Sequence, residues 1–267
     1  MKEIWTRAER SGWRDYARFV EHASTAGYAI RGLEEWILDG KAASDEATLI
    51  LRHDVDQLPA SALRAAAIEA EYGARGTWYF RWRTAHESVI AHLRAAGAEV
   101  GLHYETLTRA ARESGRAEAD PELIDRCREA LRDEIARFGE LFGPIRSICA
   151  HGDTRVPRVN NLALAQGQDI RRFGVELDAN VAIPHRALSQ WVTDRRAADG
   201  RWGKGVDPHE LLDARATPLL VVMHPNNWAS SPQLWLDRLA AAVPLRVAGR
   251  PVASGREAPP SRRGAGR

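Results

Sequence analysis

The sequence has little cysteine, only Cys127 and Cys149 in 267 residues. That excludes a disulfide framework and a metal cage built from thiolates alone. It has almost no net charge, +2 from 38 Lys+Arg against 36 Asp+Glu. It therefore lacks the concentrated basic face that nucleic acid demands. Lysine is scarce too: Lys2, Lys41 and Lys204 stand beside arginines that carry the rest of the positive charge. No apolar run approaches the roughly 20 residues of a membrane span. Residues 1–19 lack the basic end, apolar middle and small-residue cleavage site of a signal peptide. Together these absences predict a cytoplasmic protein with neither a membrane nor a nucleic-acid partner.

What is present is an ordinary globular composition, 44% apolar and 28% charged, with nine histidines. Apolar spacing predicts helices over 7–24, 33–38, 61–72, 86–96, 121–138 and 234–242. Strands are expected over 48–54, 77–81, 99–103, 147–151 and 218–224, with shorter apolar pieces at 173–177 and 191–193. The alternation predicts a parallel α/β sheet. Residues 1–45 read as an N-terminal helical segment packed on a single barrel domain over 46–248. Residues 249–267, rich in Gly, Pro, Arg and Ser, read as a disordered tail.

The strands end alike, in His53-Asp54, His103, His151 and His224. Carboxyl ends of parallel strands form the ligand face of α/β folds. A barrel would make these residues converge, whereas an open sheet would spread them along an edge. Asp54 and Asp56, two apart, can face one side, where paired carboxylates call for a cation; capping the next helix is the plain alternative. His103 could be a buried histidine with a satisfied hydrogen bond, and Glu105 a first-turn helix acid. Gly152, after His151, permits a sharp turn or close approach. Pro225 takes the chain out of the sheet and leaves His224 on the rim. Each feature alone is as readily structural as functional. Jointly, one Asp and two His make a three-ligand site open to water, as in catalytic zinc centres, with a spare carboxylate as base and a spare His as acid. His53 should point the other way, and His22, His86, His92, His185 and His209 need no function.

At these residues the chain resembles the polysaccharide deacetylase family, carbohydrate esterase family 4, in a divergent branch described as WbmS-like. The matching text is Leu-Arg-His-Asp-Val-Asp (51–56), Gly-Thr-Trp-Tyr-Phe-Arg (76–81), Ala-Glu-Val-Gly-Leu-His-Tyr-Glu (98–105) and His-Gly-Asp (151–153). It continues with Asn160-Asn161, Trp-Val-Thr-Asp (191–194), Gly-Arg-Trp (200–202) and Met-His-Pro-Asn-Asn-Trp (223–228). The resemblance implies a distorted, incomplete (β/α) barrel, TIM-like and of the seven-stranded NodB-homology type. It implies a metal-dependent hydrolase of an amide C–N bond, most readily an N-deacetylase of an N-acetylated sugar or small metabolite. By position Asp54 matches the base, Asp56 the metal-binding aspartate and His103 the first metal histidine. The second family histidine would fall at Leu107, which cannot bind metal; His151 is then the candidate third ligand, with Glu105 as runner-up. The arginine that orients the base is missing from its usual place, and Arg52 or Arg81 could stand in. Met223-His224 matches the last motif, making His224 the general acid. Asp194 and Trp202 match the region that shapes the pocket, and Asp194 is a candidate to orient His224. Arg81, Tyr104, Glu105, Asp194 and Trp202 are the expected substrate contacts, although packing is the plainer reading of Trp202 and Trp228. Zn2+ is the expected metal, with Co2+, Ni2+ or Mn2+ as alternatives. Rival readings are another amide hydrolysis, such as deformylation of a small metabolite, and a non-catalytic carbohydrate-binding barrel. The substrate is expected to be a small molecule or carbohydrate; no oligomeric state is implied.

Overall fold

The apolar run at 48–55 becomes the central strand of the structure, a computed structural model describing residues 2–43, 45–153, 155–181, 190–194 and 206–229. In chain order the main elements are α1 (Lys2–Thr25), β1 (Ala29–Arg31), α2 (Leu33–Ile37), β2 (Thr48–Val55), α3 (Pro59–Glu71), β3 (Thr77–Phe80), α4 (Glu87–Ala95) and β4 (Glu99–Tyr104). There follow α5 (Thr106–Glu113), α6 (Pro121–Phe142), β5 (Ser147–Ala150), β6 (Leu177–Asp178), β7 (Gln190–Thr193), α7 (Pro208–Asp213) and β8 (Leu219–Met223). Local chemistry sets several boundaries. Asp120 caps α6 by accepting from the Leu123 amide at 2.8 Å, with Pro121 in the first turn. Gly73, at φ +66°, lets the chain leave α3 in the left-handed region. The α6 stripe Leu123, Cys127, Leu131, Ile135 and Phe138 is buried at helical spacing.

All strand pairings are parallel, and the sheet order is β6-β5-β4-β3-β2-β8-β7, with β1 beside the start of β2. This is the cyclic order of a barrel opened between β6 and β7. Side chains from distant strands show that the sheet curls. Three strand steps separate β2 from β5, about 14 Å in a flat sheet, yet Arg52 Nη2 lies 2.6 Å from Cys149 Sγ. Leu177 of β6 shares one apolar cluster with Leu220 and Val222 of β8, on the far side of the sheet order.

Alternation along β2 sorts the two faces. Leu49, Leu51 and Val55 pack outward into the large core beneath α1, α3, α4 and α6, whereas Ile50 joins the inner cluster with Tyr79, Cys149 and Leu220. Gly101 is needed here: a Cβ there would lie 2.6 Å from the Tyr79 ring, and 2.4 Å from the Ser147 carbonyl oxygen. Tyr79 thus reaches over β4, and its hydroxyl donates to Ser147 Oγ at 3.0 Å. At the amino ends of the strands α2 closes the barrel. Its Glu34 and Glu35 amides donate to Glu99, and Ser147 Oγ donates to Glu34 Oε1 at 2.6 Å.

The N-terminal helix packs on this barrel through Trp13, Tyr16, Phe19, Val20 and Ala23. Strand β1, α5 and α7 go beyond the elements expected from apolar spacing. The piece at 173–177 is not a strand throughout: Asp169 and Gly174 (φ +84°) bracket a 3-10 turn at Ile170–Phe173, leaving only Leu177–Asp178 to pair. The helix expected at 234–242 and the tail from 249 lie outside the described residues. Among the described residues, no helix is long and apolar enough to cross a membrane.

Candidate metal centre

The carboxyl ends of five strands meet at one rim. Strand β2 delivers Arg52 and Asp54 and, just past its end, Asp56, whose amide turns back onto the Asp54 carbonyl at 3.1 Å. Strand β4 delivers His103, and β5 is followed by His151. Strands β7 and β8 are followed by Asp194 and His224.

Asp56 Oδ1 is buried and makes no hydrogen bond, although Arg81 Nη1 stands 3.8 Å from it. It lies 3.6 Å from His103 Nε2 and 3.4 Å from His151 Nε2. The three ligating atoms fall within 4.8 Å of one another. His103 Nδ1 is 3.0 Å from the Cys149 carbonyl oxygen. A carbonyl only accepts, so Nδ1 carries the proton and Nε2 keeps its lone pair for the centre. Burial pulls His103 below its ordinary pKa, against Asp54 and Asp56, which favours the neutral ring a metal requires. Burial also pushes Asp56 up, but His151 and His103 prevail and hold it below the usual carboxylate range. An ionised carboxylate and two imidazoles around one orphaned oxygen suit a divalent cation.

A second group, Asp54, His103 and Cys149, shares His103 with the first. It is a poorer cage. Arg52 occupies both Asp54 oxygens at 2.8 Å, and burial raises the Cys149 thiol well above its ordinary range, so no thiolate is on offer.

Two titratable groups with displaced pKa values flank the centre. Asp54 resists burial because Arg52, then His103 and His224, hold its carboxyl well below the usual range. Of the two arginines considered as its orienting partner, Arg52 holds that place. On the other flank His224 Nδ1 lies 2.7 Å from Asp194 Oδ1, and the His224 amide donates to Oδ2 at 2.7 Å. Burial opposes the charged ring, but Asp194, with Asp54 and Asp56 beyond, pushes His224 up to about 9.

Several expected substrate contacts do something else. Arg81 is buried and forms a two-pronged pair with Glu105, which uses both oxygens of that carboxylate. Glu105 is thereby engaged by Arg81, and it is His151 that stands with Asp56 and His103 in a group that could hold an ion. Tyr104 faces outward, fully buried, and its hydroxyl donates to Asp178 Oδ2 at 2.8 Å; it has no surface for a ligand. Asp194 is 1% exposed and spent on His224, Asn227 and Trp228, so it positions His224 instead of meeting substrate. Trp228 is buried against Tyr16, with Nε1 donating to Asp194 at 2.8 Å. Leu107 is buried in the outer core. Trp202 lies outside the described residues. His53 does face away, stacked on Trp78 at 3.7 Å and 2.8 Å from Glu69.

Asn161, noted in the sequence only as half of an Asn pair, proves central. Its Oδ1 accepts from the Leu107 and Thr108 amides at 3.0 Å, and its Nδ2 donates to the His151 carbonyl at 2.7 Å. It ties the start of α5 to the ligand segment. Asn180, which accepts from Arg52 Nη1 at 2.7 Å, and Arg83, which donates to the Asp56 carbonyl at 2.9 Å, carried no sequence signal. A cavity of about 370 Å³ adjoins the rim on the open side of the barrel, lined by Arg52, Gly152, Asn180, Trp191 and Val222 among others.

Compared with known protein families, with curated proteins and with solved structures, the chain matches none.

Proposed function

We propose that the protein is a metal-dependent hydrolase of an amide C–N bond, an N-deacetylase acting on an N-acetylated sugar or small metabolite. The supporting observation is the orphaned Asp56 Oδ1 between two histidine Nε2 atoms, with an ionised Asp54 on one flank and a charged His224 on the other. Asp56, His103 and His151 would hold the cation, with Zn2+ first among the choices for such donors. When bound, a divalent cation supplies Lewis acidity to a carbonyl and acidifies water. Asp54 takes the proton of the attacking water; Arg52 fixes its orientation and keeps it ionised. His224 donates its Nε2 proton to the departing amine, which is too basic to leave as an anion. Asp194 holds the ring and stabilises its charge. The seven-stranded deacetylase barrel and a cytoplasmic setting belong to the same proposal.

The test combines elemental analysis with acetate release from a panel of N-acetyl and N-formyl sugars and metabolites. The proposal expects about one divalent ion per chain and acetate release that stops on chelation. Formate release alone would move the reading to deformylation. A chain with no affinity for divalent metal would leave a carbohydrate-binding barrel.

A further inference from the structure

The arginines around the rim are paired with carboxylates, with one exception. Arg52 is matched by Asp54, Arg81 by Glu105 and Arg155 by Asp153. Arg83 is exposed and has no carboxylate within ion-pair distance among the described residues; its Nη2 donates to the Asp56 carbonyl at 2.9 Å. That bond anchors the guanidinium on the turn that carries a proposed metal ligand. Its remaining N–H donors have no protein partner among the described residues. A guanidinium is a planar fork of five donors, and one anchored at a single nitrogen keeps enough donors to grip an oxyanion from two points.

Arg81 and Arg155 act on the Arg83 guanidinium from one side of the charge balance and Glu105 and Asp56 from the other, and neither carboxylate forms an ion pair with it. Once a divalent ion offsets Asp56, the unmatched charge of the rim is positive.

We propose that Arg83 is a substrate-binding residue that grips an oxyanion, a phosphate or a carboxylate, carried by the N-acylated substrate. This rests on the hydrolase reading for the metal and the bond cleaved, but not for the anion itself. Neutral N-acetyl sugars are then poor ligands, and phosphorylated or carboxylated N-acyl compounds are good ones.

Calorimetric titration of the full chain, with and without Zn2+, tests this. The probes are N-acetylglucosamine, N-acetylglucosamine 1-phosphate, N-acetylglutamate and inorganic phosphate, against the native chain, Arg83→Gln, Arg83→Lys and the control Arg18→Gln. An anionic probe should bind at least about tenfold more tightly than the neutral sugar, the worth of a charge-assisted hydrogen bond. Arg83→Gln should abolish that preference, Arg83→Lys should restore part of it, and Arg18→Gln should leave it unchanged. The preferred probe tells phosphate from carboxylate. Equal binding of neutral and anionic probes, no binding of either, or an unchanged preference in Arg83→Gln would each overturn the proposal. Acetate release that ignores Arg83 would sink the anion site and leave the hydrolase standing. Anion binding that depends on Arg83, with no hydrolysis of any probe, would do the reverse.

Discussion

At the scale of single residues, the site divides its protons between two groups whose surroundings drive them apart. Asp54 is kept ionised by Arg52, and His224 is kept protonated by Asp194. Removing either should be costly for catalysis. Asp54→Asn should lower kcat by roughly 10² to 10⁴ while the metal content stays at that of the native chain. Full turnover in that variant would show that Asp54 is not the base. His224 makes a prediction about pH. Its folded pKa, about 9, stands above the ordinary value near 6.5. The stability it contributes is therefore complete below about 6.5 and lost as pH rises through 9. The gap in Tm between the native chain and His224→Gln should close across that window. The alkaline limb of kcat should fall in the same region and move to lower pH in Asp194→Asn, which keeps the hydrogen-bonding shape but not the charge. An alkaline limb that Asp194→Asn leaves in place would separate the two residues.

At the scale of elements, much of the design was legible, because a strand end announces itself where an apolar run stops in charge. Residues 48–54, 99–103, 147–151 and 218–224 read as strands with His or Asp at their ends, and of those side chains Asp54, His103 and His151 come together, with His224 on the same rim. The proposed third ligand is less legible. The spacing of the deacetylase family that the sequence resembles falls on Leu107, but α5 turns that position into the outer core, and His151 comes within 3.4 Å of Asp56 from the end of the next strand. Arg52 pairs with Asp54 on the same face of its own strand and Arg81 with Glu105 at the neighbouring strand end, whereas the approach of Arg52 to Cys149 depends on curling that brings β2 within reach of β5 and that sequence spacing does not encode. Tyr104 shows the same gap: alternation put it on the outer face, next to a site residue in sequence but not in space. Asn161 joins two elements, and Asn161→Ala should leave the Leu107 and Thr108 amides and the His151 carbonyl unpaired. A loss of about 1–3 kcal/mol is expected for such a deletion. Weaker metal binding should accompany it, by roughly 10- to 100-fold if His151 loses its support as an outer-shell partner would. Stability loss with unchanged metal affinity would confine Asn161 to capping α5. The α2 plug gives an opposite-end prediction. Burial raises Glu34 to about 7, offset by Ser147 and reinforced by Glu99. A carboxyl with a raised folded pKa contributes fully below its ordinary value, near 4.3, and loses that contribution as pH rises through about 7. Glu34→Gln should flatten this part of the Tm profile; an unchanged slope would mean that Glu34 is not the group titrating.

At the scale of the whole molecule, the open seam between β6 and β7 makes the position of the metal matter for stability. The proposed ligands Asp56, His103 and His151 lie at the ends of β2, β4 and β5, so a bound ion would link three strands on one side of the curled sheet. The β7–β8 side contributes the proposed acid His224 and its partner Asp194 but no proposed ligand, and α2 fastens the far end. An ion that binds the native chain and not the unfolded one adds about 2.7 kcal/mol at a hundredfold excess over Kd. For a chain of this size that is a rise of roughly 5–10 °C in Tm. The distribution of the gain is more telling than its size. Hydrogen exchange measured with chelator and then with Zn2+ should show slower exchange at the His151 and Asp56 amides, which close backbone bonds to Tyr104 and Asp54 beside the ligands. Amides of α7, which bond within its own turn and lie on a helix packed against α1, should exchange at the same rate in both states. Protection spread evenly over the barrel would indicate a general effect of ligand on unfolding. Protection confined to the Asp194 and His224 segment would place the ion on the opposite flank, and Asp56→Asn would then leave the Zn2+-dependent rise in Tm intact.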